Sequence, residues 1–436
     1  MAVRGVAAIT TGENMFHNGK PGAAQMLYRA ATDLLAKSAI FLVTVVAARR
    51  LSRSDFALFA LASTLGWLAS VAADFGLQLH LARAVAQTPD AARALLARWW
   101  PIRAATGAVA LAGAIAALPL TGATATWPSL FFLLTYAANG ATEFLYYYFR
   151  GHARTDLEST LTLAQRSAML LLALAALAVA PGAYWLSVAM LAPALAGLAA
   201  ALLLARGLGG DGDTTVRPFV PRGPAFVRDV APIGVGILLS ALYFRIDVFL
   251  LQQWSGEAVV GVYNAMFRLV DALRLFPAAV LAVALPALSR AGDRRPLVAL
   301  AIPMTVAATV ATAAGWLLAP WLVHALYGAA FDDGVPTLRL LLLSLPLMAL
   351  NYALTHQLIG WHGHRAYGGI CAAALAANLV LNWRWIPLIG MRGAAWSTLW
   401  TEVLLTLGCL VALRQTDASA ATSPDGMPGA ALEAES

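Results

Sequence analysis

An arginine and an aspartate two residues apart stand inside the apolar stretch Tyr243-Phe244-Arg245-Ile246-Asp247-Val248-Phe249-Leu250-Leu251. Ionised groups in such surroundings are costly unless they face a protein interior or a water-filled path, so they mark function. At this spacing on a helix Arg245 and Asp247 point in different directions and cannot cancel along one face. Each needs a partner from another helix, from water or from a substrate, and an ion pair locking the helix to its neighbour would serve equally well. Arg268, Asp271 and Arg274 follow at intervals of three, which brings successive members together on a helix surface. Their guanidinium forks suit bidentate recognition of phosphate. Asp271 clamped by both arginines would be a packing device. We expect a mixed role, with one arginine left for an anion.

The first half of the chain offers weaker candidates. Asp33 and Lys37 are four apart and read as a self-satisfied pair on one helix. Asp74 stands in Asp74-Phe75-Gly76, with Arg83 beyond. Asn139 and Glu143 are one turn apart, and Arg150-Gly151 ends the same apolar stretch. Glu143 is read either as a proton-linked carboxylate or as one end of an interhelical hydrogen bond, the second being the simpler. In the last third Asn351, Asn378 and Asn382 lie inside apolar stretches, where amides join helices. His362-Gly363-His364 offers two metal ligands without nearby Cys or carboxylate partners, a weak site. Cys371 and Cys409 fall inside apolar stretches and read as packing residues. No Walker-type phosphate loop and no specific nucleophile–base arrangement is present, so we expect neither an enzyme nor a metal or other cofactor. A coupling ion, proton or sodium, is left open.

The elements that must position these residues are membrane helices. The chain has 436 residues, 60% hydrophobic and only 12% charged, whereas a soluble domain carries about 25% charged residues. About twelve stretches reach the length of about 20 apolar residues that a spanning helix needs. Long runs such as Met169 to Ala180 are apolar at every position, which excludes the alternation of a β-barrel strand. The expected fold is therefore an all-α polytopic membrane protein with about twelve spans.

The formal charge of +7 does not indicate nucleic acid, because the basic residues fall in alternate loops. Arg83, Arg93, Arg98 and Arg103 cluster between spans two and three, and Arg150 and Arg154 follow span four. Others surround the centre of the chain or follow spans eight and ten. The intervening loops at 121–127, 182–183, 255–257 and 328–336 are nearly free of Lys and Arg. By the positive-inside rule the basic loops, and with them both termini, are cytoplasmic. Arg49, Arg50 and Arg53 are a local exception in the first external loop, either functional or part of an interfacial turn. The polar stretch Gly207 to Pro224 divides the spans six and six. We expect a cytoplasmic segment at 1–26, a six-helix bundle at 27–205, a linker at 206–227, a second six-helix bundle at 228–413 and a disordered tail at 414–436. No cleavable signal peptide is apparent in residues 1–22. Six spans in each half give the two halves the same orientation, and Leu51–Ala60 weakly resembles Trp254–Ala265, as expected for parallel repeats with a cavity between them.

The order of several pieces resembles the polysaccharide-transporter branch of the multidrug/oligosaccharidyl-lipid/polysaccharide exporter superfamily. The pieces are Arg245-Ile246-Asp247, Gly261-Val262-Tyr263 and Leu285-Pro286-Ala287-Leu288-Ser289, with Leu51-Ser52, Asp55-Phe56, Asp74-Phe75-Gly76 and Leu326-Tyr327-Gly328 in support. The resemblance implies a Wzx-type flippase. Such a protein has two six-helix bundles in a V, works by alternating access, and moves undecaprenyl-diphosphate-linked oligosaccharides from the cytoplasmic to the periplasmic leaflet of the bacterial inner membrane. It implies a cationic cavity for the diphosphate and sugar acids. That role would fall to Arg245, Arg268 and Arg274, and less directly to Arg83 and Arg150. Asp247, Asp271, Glu143, Asp74, Asp33 and Lys37 would be coupling or structural partners. It also implies bilayer lipids and the polymerase and chain-length components of a glycan export pathway as partners, and O-antigen or exopolysaccharide as the product. The competing readings are a cation-coupled multidrug exporter, which would favour acidic cavity residues, and a membrane glycan ligase or glycosyltransferase, which would need a substantial external loop.

Overall fold

The computed structural model describes residues 23–121, 126–208, 224–274, 277, 280, 295–360 and 364–422. Thirteen α-helices are described, with short 3₁₀ turns between some of them. In the first half they are α1 (Ala23–Arg50), α2 (Arg53–Asp74), α3 (Leu77–Gln87), α4 (Ala92–Ala117), α5 (Trp127–Gly151), α6 (Thr155–Val179) and α7 (Ala183–Gly207). The second half has α8 (Pro224–Ser255), α9 (Glu257–Leu273), α10 (Arg295–Tyr327), α11 (Val335–Gly360), α12 (His364–Ile389) and α13 (Met391–Thr422). All but α3 match the twelve expected spans. Ten of these segments are long and apolar enough to cross a membrane. The chain is a multi-pass membrane protein of two helical bundles, with no strand among the described residues.

The linker expected at 206–227 lies mostly outside the described residues, as do the Leu285–Ser289 segment, His362 and the chain beyond Thr422. Helix α13 continues past the expected start of the tail. Helix α3 was not anticipated. Its sequence is basic and short, yet Leu77, Leu81 and Val85 are spaced by four and are buried against Trp99, Phe144 and Tyr148. That stripe is the core-facing side of an amphipathic helix.

Local chemistry sets the joints. Ser52 caps α2 by accepting the Asp55 amide at 3.1 Å, and Asp55 suits the positive end of the helix dipole. At the other end of α2 the backbone turns through Phe75 (φ 43°) and Gly76 (φ 84°). The Asp74 carboxylate holds this turn, accepting the amides of Gly76 and Gln78, each at 3.1 Å. In the second bundle Asn351 of α11 donates to the Glu402 carboxylate of α13 at 2.7 Å, and Asn378 of α12 donates to Thr401 of α13 at 3.1 Å. Asn382 donates to Asn378 at 2.8 Å. Asn351 and Asn378 join helices, as their placement in apolar sequence suggests, whereas the Asn382 bond stays within α12.

The halves meet mainly through α1 and α2 against α8, α9 and α10. The largest apolar core crosses this seam and includes Phe56, Phe59 and Phe132 from one half with Tyr263, Phe267 and Phe331 from the other. The aromatic edge of Phe56 meets Phe331 at 5.9 Å between centroids. This packing lies near the α1–α2 turn. At the opposite end the helices enclose a cavity.

Candidate functional site

The cavity is about 990 Å³ and lies between the bundles. It is lined by the middle of α1, the second half of α2, the middle of α8 and the end of α9, with α4, α5, α6, α7, α11 and α12 completing the wall. Four of the five seam helices thus contribute portions set back from the α1–α2 turn, and, among the described residues, α10 contributes none. On one flank α8 comes close to the α2–α3 turn. A Cβ on Gly234 would lie 2.5 Å from the Phe75 carbonyl oxygen, so only glycine allows this approach.

Among the described residues the lining holds six cationic side chains, Lys37, Arg103, Arg166, Arg245, Arg268 and Arg274. Against them stand three carboxylates, Asp74, Glu143 and Asp271. The formal excess among these described residues is positive, which favours an anion over a cationic ligand. Trp67, Tyr136, Tyr243, Phe244, Tyr352 and Tyr367 add aromatic surface.

Arg245 and Asp247 leave α8 in different directions, as their spacing requires, and both find partners on α9. Arg245 donates to Asp271 at 2.7 Å and its guanidinium lies 4.3 Å from the centre of the Phe267 ring. Asp247 is buried away from the cavity lining and accepts the Tyr263 hydroxyl and the Val248 amide. It ties α8 to α9. Asp271 is indeed clamped by two arginines, but they are Arg245 and Arg274, not Arg268 and Arg274. Arg274 reaches Asp271 at 3.3 Å and covers the Phe244 ring at 4.1 Å. Arg268 is partly buried, lines the cavity and has no carboxylate partner among the described residues. The arginine left for an anion is therefore Arg268, because a residue from α8 takes its expected place beside Asp271.

The first bundle departs further from expectation. Asp33 and Lys37 form no ion pair: both side chains are exposed, and Lys37 points to the cavity. Arg150 lies outside the lining and is held by Glu158 of α6, with Nε to Oε2 at 2.8 Å and a further contact to Glu143 at 3.4 Å. It fastens α5 to α6. Arg83 is exposed on α3 and also lies outside the lining. Glu143 does face the cavity, with its side chain 46% exposed despite the Arg150 contact. Asp74 lines the cavity while its oxygens are engaged by the turn.

Two cavity arginines were not singled out in the sequence. Arg103 belongs to α4, not to a loop, and is buried with its Nε unpartnered. Gly140 on α5 makes room for it, since a Cβ there would lie 2.9 Å from Arg103 Nη2 and 2.0 Å from Ser70 Oγ. Arg166 of α6 contacts the Met169 sulfur at 3.7 Å and has no carboxylate bonded to it among the described residues. Its signal was available: a lone arginine in an apolar helix. The arrangement offers an anion three arginines without a bonded carboxylate, two from the first bundle and one from the second.

A family model described as "Polysaccharide biosynthesis protein" matches residues 23–291. Among solved structures the chain is similar to an inward-facing multidrug resistance MATE family transporter of the MOP superfamily. The identity is 15%, the TM-score 0.61, and the match covers 91% of this chain and 96% of that one. It is also similar to the lipid II flippase MurJ in an inward closed conformation, at 12% identity and TM-score 0.59, covering 89% and 87%. A MOP superfamily transporter from Pyrococcus furiosus, described by the reverse polarity of its binding pocket, aligns at 14% identity and TM-score 0.57, covering 90% and 95%. These likenesses show a shared transporter fold. No curated protein matches the chain.

Proposed function

The chain belongs to the polysaccharide biosynthesis protein family, and on that premise we propose that it is a flippase for undecaprenyl-diphosphate-linked oligosaccharides, precursors of O-antigen or exopolysaccharide. The observation that carries this reading is the positive excess of the interbundle cavity, with Arg103, Arg166 and Arg268 free of a bonded carboxylate. A diphosphate and its sugars cannot cross hydrocarbon unaided, whereas the polyprenyl tail can stay in the bilayer. A wet cationic path between rocking bundles lowers that barrier. Arg268 holds the diphosphate, Arg103 and Arg166 meet further phosphate or sugar acid groups, and the surrounding tyrosines pack on the pyranose rings. Arg245 and Arg274 act through Asp271 to fix the shape of the second bundle's wall.

In this reading the protein sits in the bacterial inner membrane with both termini in the cytoplasm. The cavity then faces the cytoplasm, where the glycan is assembled, and the α1–α2 turn lies on the periplasmic side. The polymerase and chain-length components downstream would receive the product. The test is the leaflet location of the lipid-linked glycan in cells depleted of the protein. Complete glycan accumulating on the cytoplasmic side, reversed by restoring the protein, supports the reading. An unchanged glycan distribution with altered drug accumulation replaces it with a multidrug exporter.

A further inference from the structure

The arginines of the α1–α2 turn are the one basic cluster that breaks the alternation of charge along the chain, and the cavity does not use them. Arg49 ends α1, and its Nε donates to the Leu326 carbonyl at 2.7 Å. A second donor of the same guanidinium reaches the Ala325 carbonyl. Arg53 begins α2 and donates to the Ala330 carbonyl at 3.1 Å. The acceptors belong to the other bundle. Ala325 and Leu326 lie in the last turn of α10, where carbonyls lack helical partners and the dipole presents negative charge. Arg49 thus satisfies two orphan acceptors with one fork. These bonds cross the seam at the end where the bundles must separate if the cavity is to open there.

A second cavity of about 790 Å³ lies over these contacts. Its lining contains Arg49, Arg50, Arg53 and His324 and, among the described residues, no carboxylate. Arg50 makes no bond among the described residues and remains available.

We propose that Arg49 and Arg53 form a latch holding the bundles together opposite the main cavity, and that a diphosphate releases it by replacing the main-chain carbonyls. The phosphate part rests on the diphosphate reading given above; the latch part does not. Phosphate oxygens are stronger acceptors for a guanidinium than neutral carbonyls, because the bonds become charge-assisted on both sides. A headgroup arriving at this end would therefore stabilise the state in which the seam is open.

Ala57 reports the seam, being fully buried one turn inside α2. In a Cys371→Ala, Cys409→Ala background, Ala57→Cys is placed in phosphatidylcholine nanodiscs and its labelling by a soluble maleimide is timed. Arg49→Ala and Arg53→Ala should each raise the labelling rate about tenfold, the population shift expected for losing a charged hydrogen bond. Arg49→Lys should raise it less, since an ammonium cannot reproduce the fork. Inorganic pyrophosphate should speed labelling of the arginine-intact protein beyond sodium chloride of equal ionic strength, and should have less effect on Arg49→Ala. Rates unchanged in both alanine variants overturn the latch. Faster labelling in the variants with no pyrophosphate effect overturns the exchange of partners. Acceleration by phosphatidylglycerol in the disc, without one by pyrophosphate, overturns diphosphate as the ligand in favour of ordinary anionic lipid. No glycan lipid is present, so none of these failures touches the flippase reading, which the leaflet assay decides.

Discussion

Arg268 and Asp271 are neighbours on α9 with opposite duties, and substitution separates them. Arg268 faces the cavity without a carboxylate, so Arg268→Ala should reduce glycan export about tenfold or more while the protein's abundance in the membrane is retained. Export at the parental rate would remove it from the substrate path. Asp271→Ala instead strips the partner from Arg245, whose side chain is only 8% exposed. An uncompensated buried charge costs roughly 3–5 kcal/mol, so abundance and melting temperature should fall together. Tyr263→Phe tests the second tie between α8 and α9. It leaves the Asp247 carboxylate with only a backbone donor and should destabilise by about 1–3 kcal/mol. A melting temperature equal to the parent's would show that this bond carries no weight in the fold.

At the scale of elements, Gly234 decides how closely α8 approaches the α2–α3 turn. Gly234→Val should push α8 from Phe75 and lower export while leaving helix content by circular dichroism unchanged. Full export would show that the two elements need not meet during the cycle. The same scale separates what could be read from sequence and what could not. The twelve long helices were legible because each needs its own run of apolar residues, independent of any neighbour. Helix α3 was not, because its apolar stripe is only three residues long, backed by an exposed face carrying Arg83, and too short to announce a span. Arg103 was placed in a loop for a related reason: basic residues before it resemble a cytoplasmic connection, yet α4 begins at Ala92 and carries it into the bundle. That Arg245 and Asp247 would need partners elsewhere followed from their spacing alone. Which partners they find did not, because Asp271 and Tyr263 are chosen by how α8 crosses α9. The Asp33–Lys37 pair failed for the converse reason, since correct spacing permits a contact that an open cavity wall does not enforce.

For the whole molecule the distribution of contacts defines a state. The bundles are sealed by Phe56, Phe331 and the Arg49 and Arg53 bonds at one end, and part around a cationic cavity at the other. Because the excess charge comes from five arginines and one lysine, side chains whose ordinary titration lies well above the working range, export should vary little between pH 6 and about pH 8 in the step that binds substrate. A steep dependence there, measured as glycan flipping in vesicles without a pH gradient, would assign binding to a titrating group such as Glu143 instead. Raised salt should weaken binding, as expected for charges in a hydrated cavity.

The carbonyls that receive Arg49 and Arg53 belong to Ala325, Leu326 and Ala330, and every amino acid supplies that same oxygen. A mutational scan of the segment would therefore find one side of the contact nearly silent, with tolerance at these three positions wherever helix geometry survives. The opposite side would stand out sharply at two arginines. In comparisons among relatives such an interface leaves no co-varying pair, since only one of its members can vary. Two surfaces can thus depend on each other while the genetic record shows a conserved residue facing nothing.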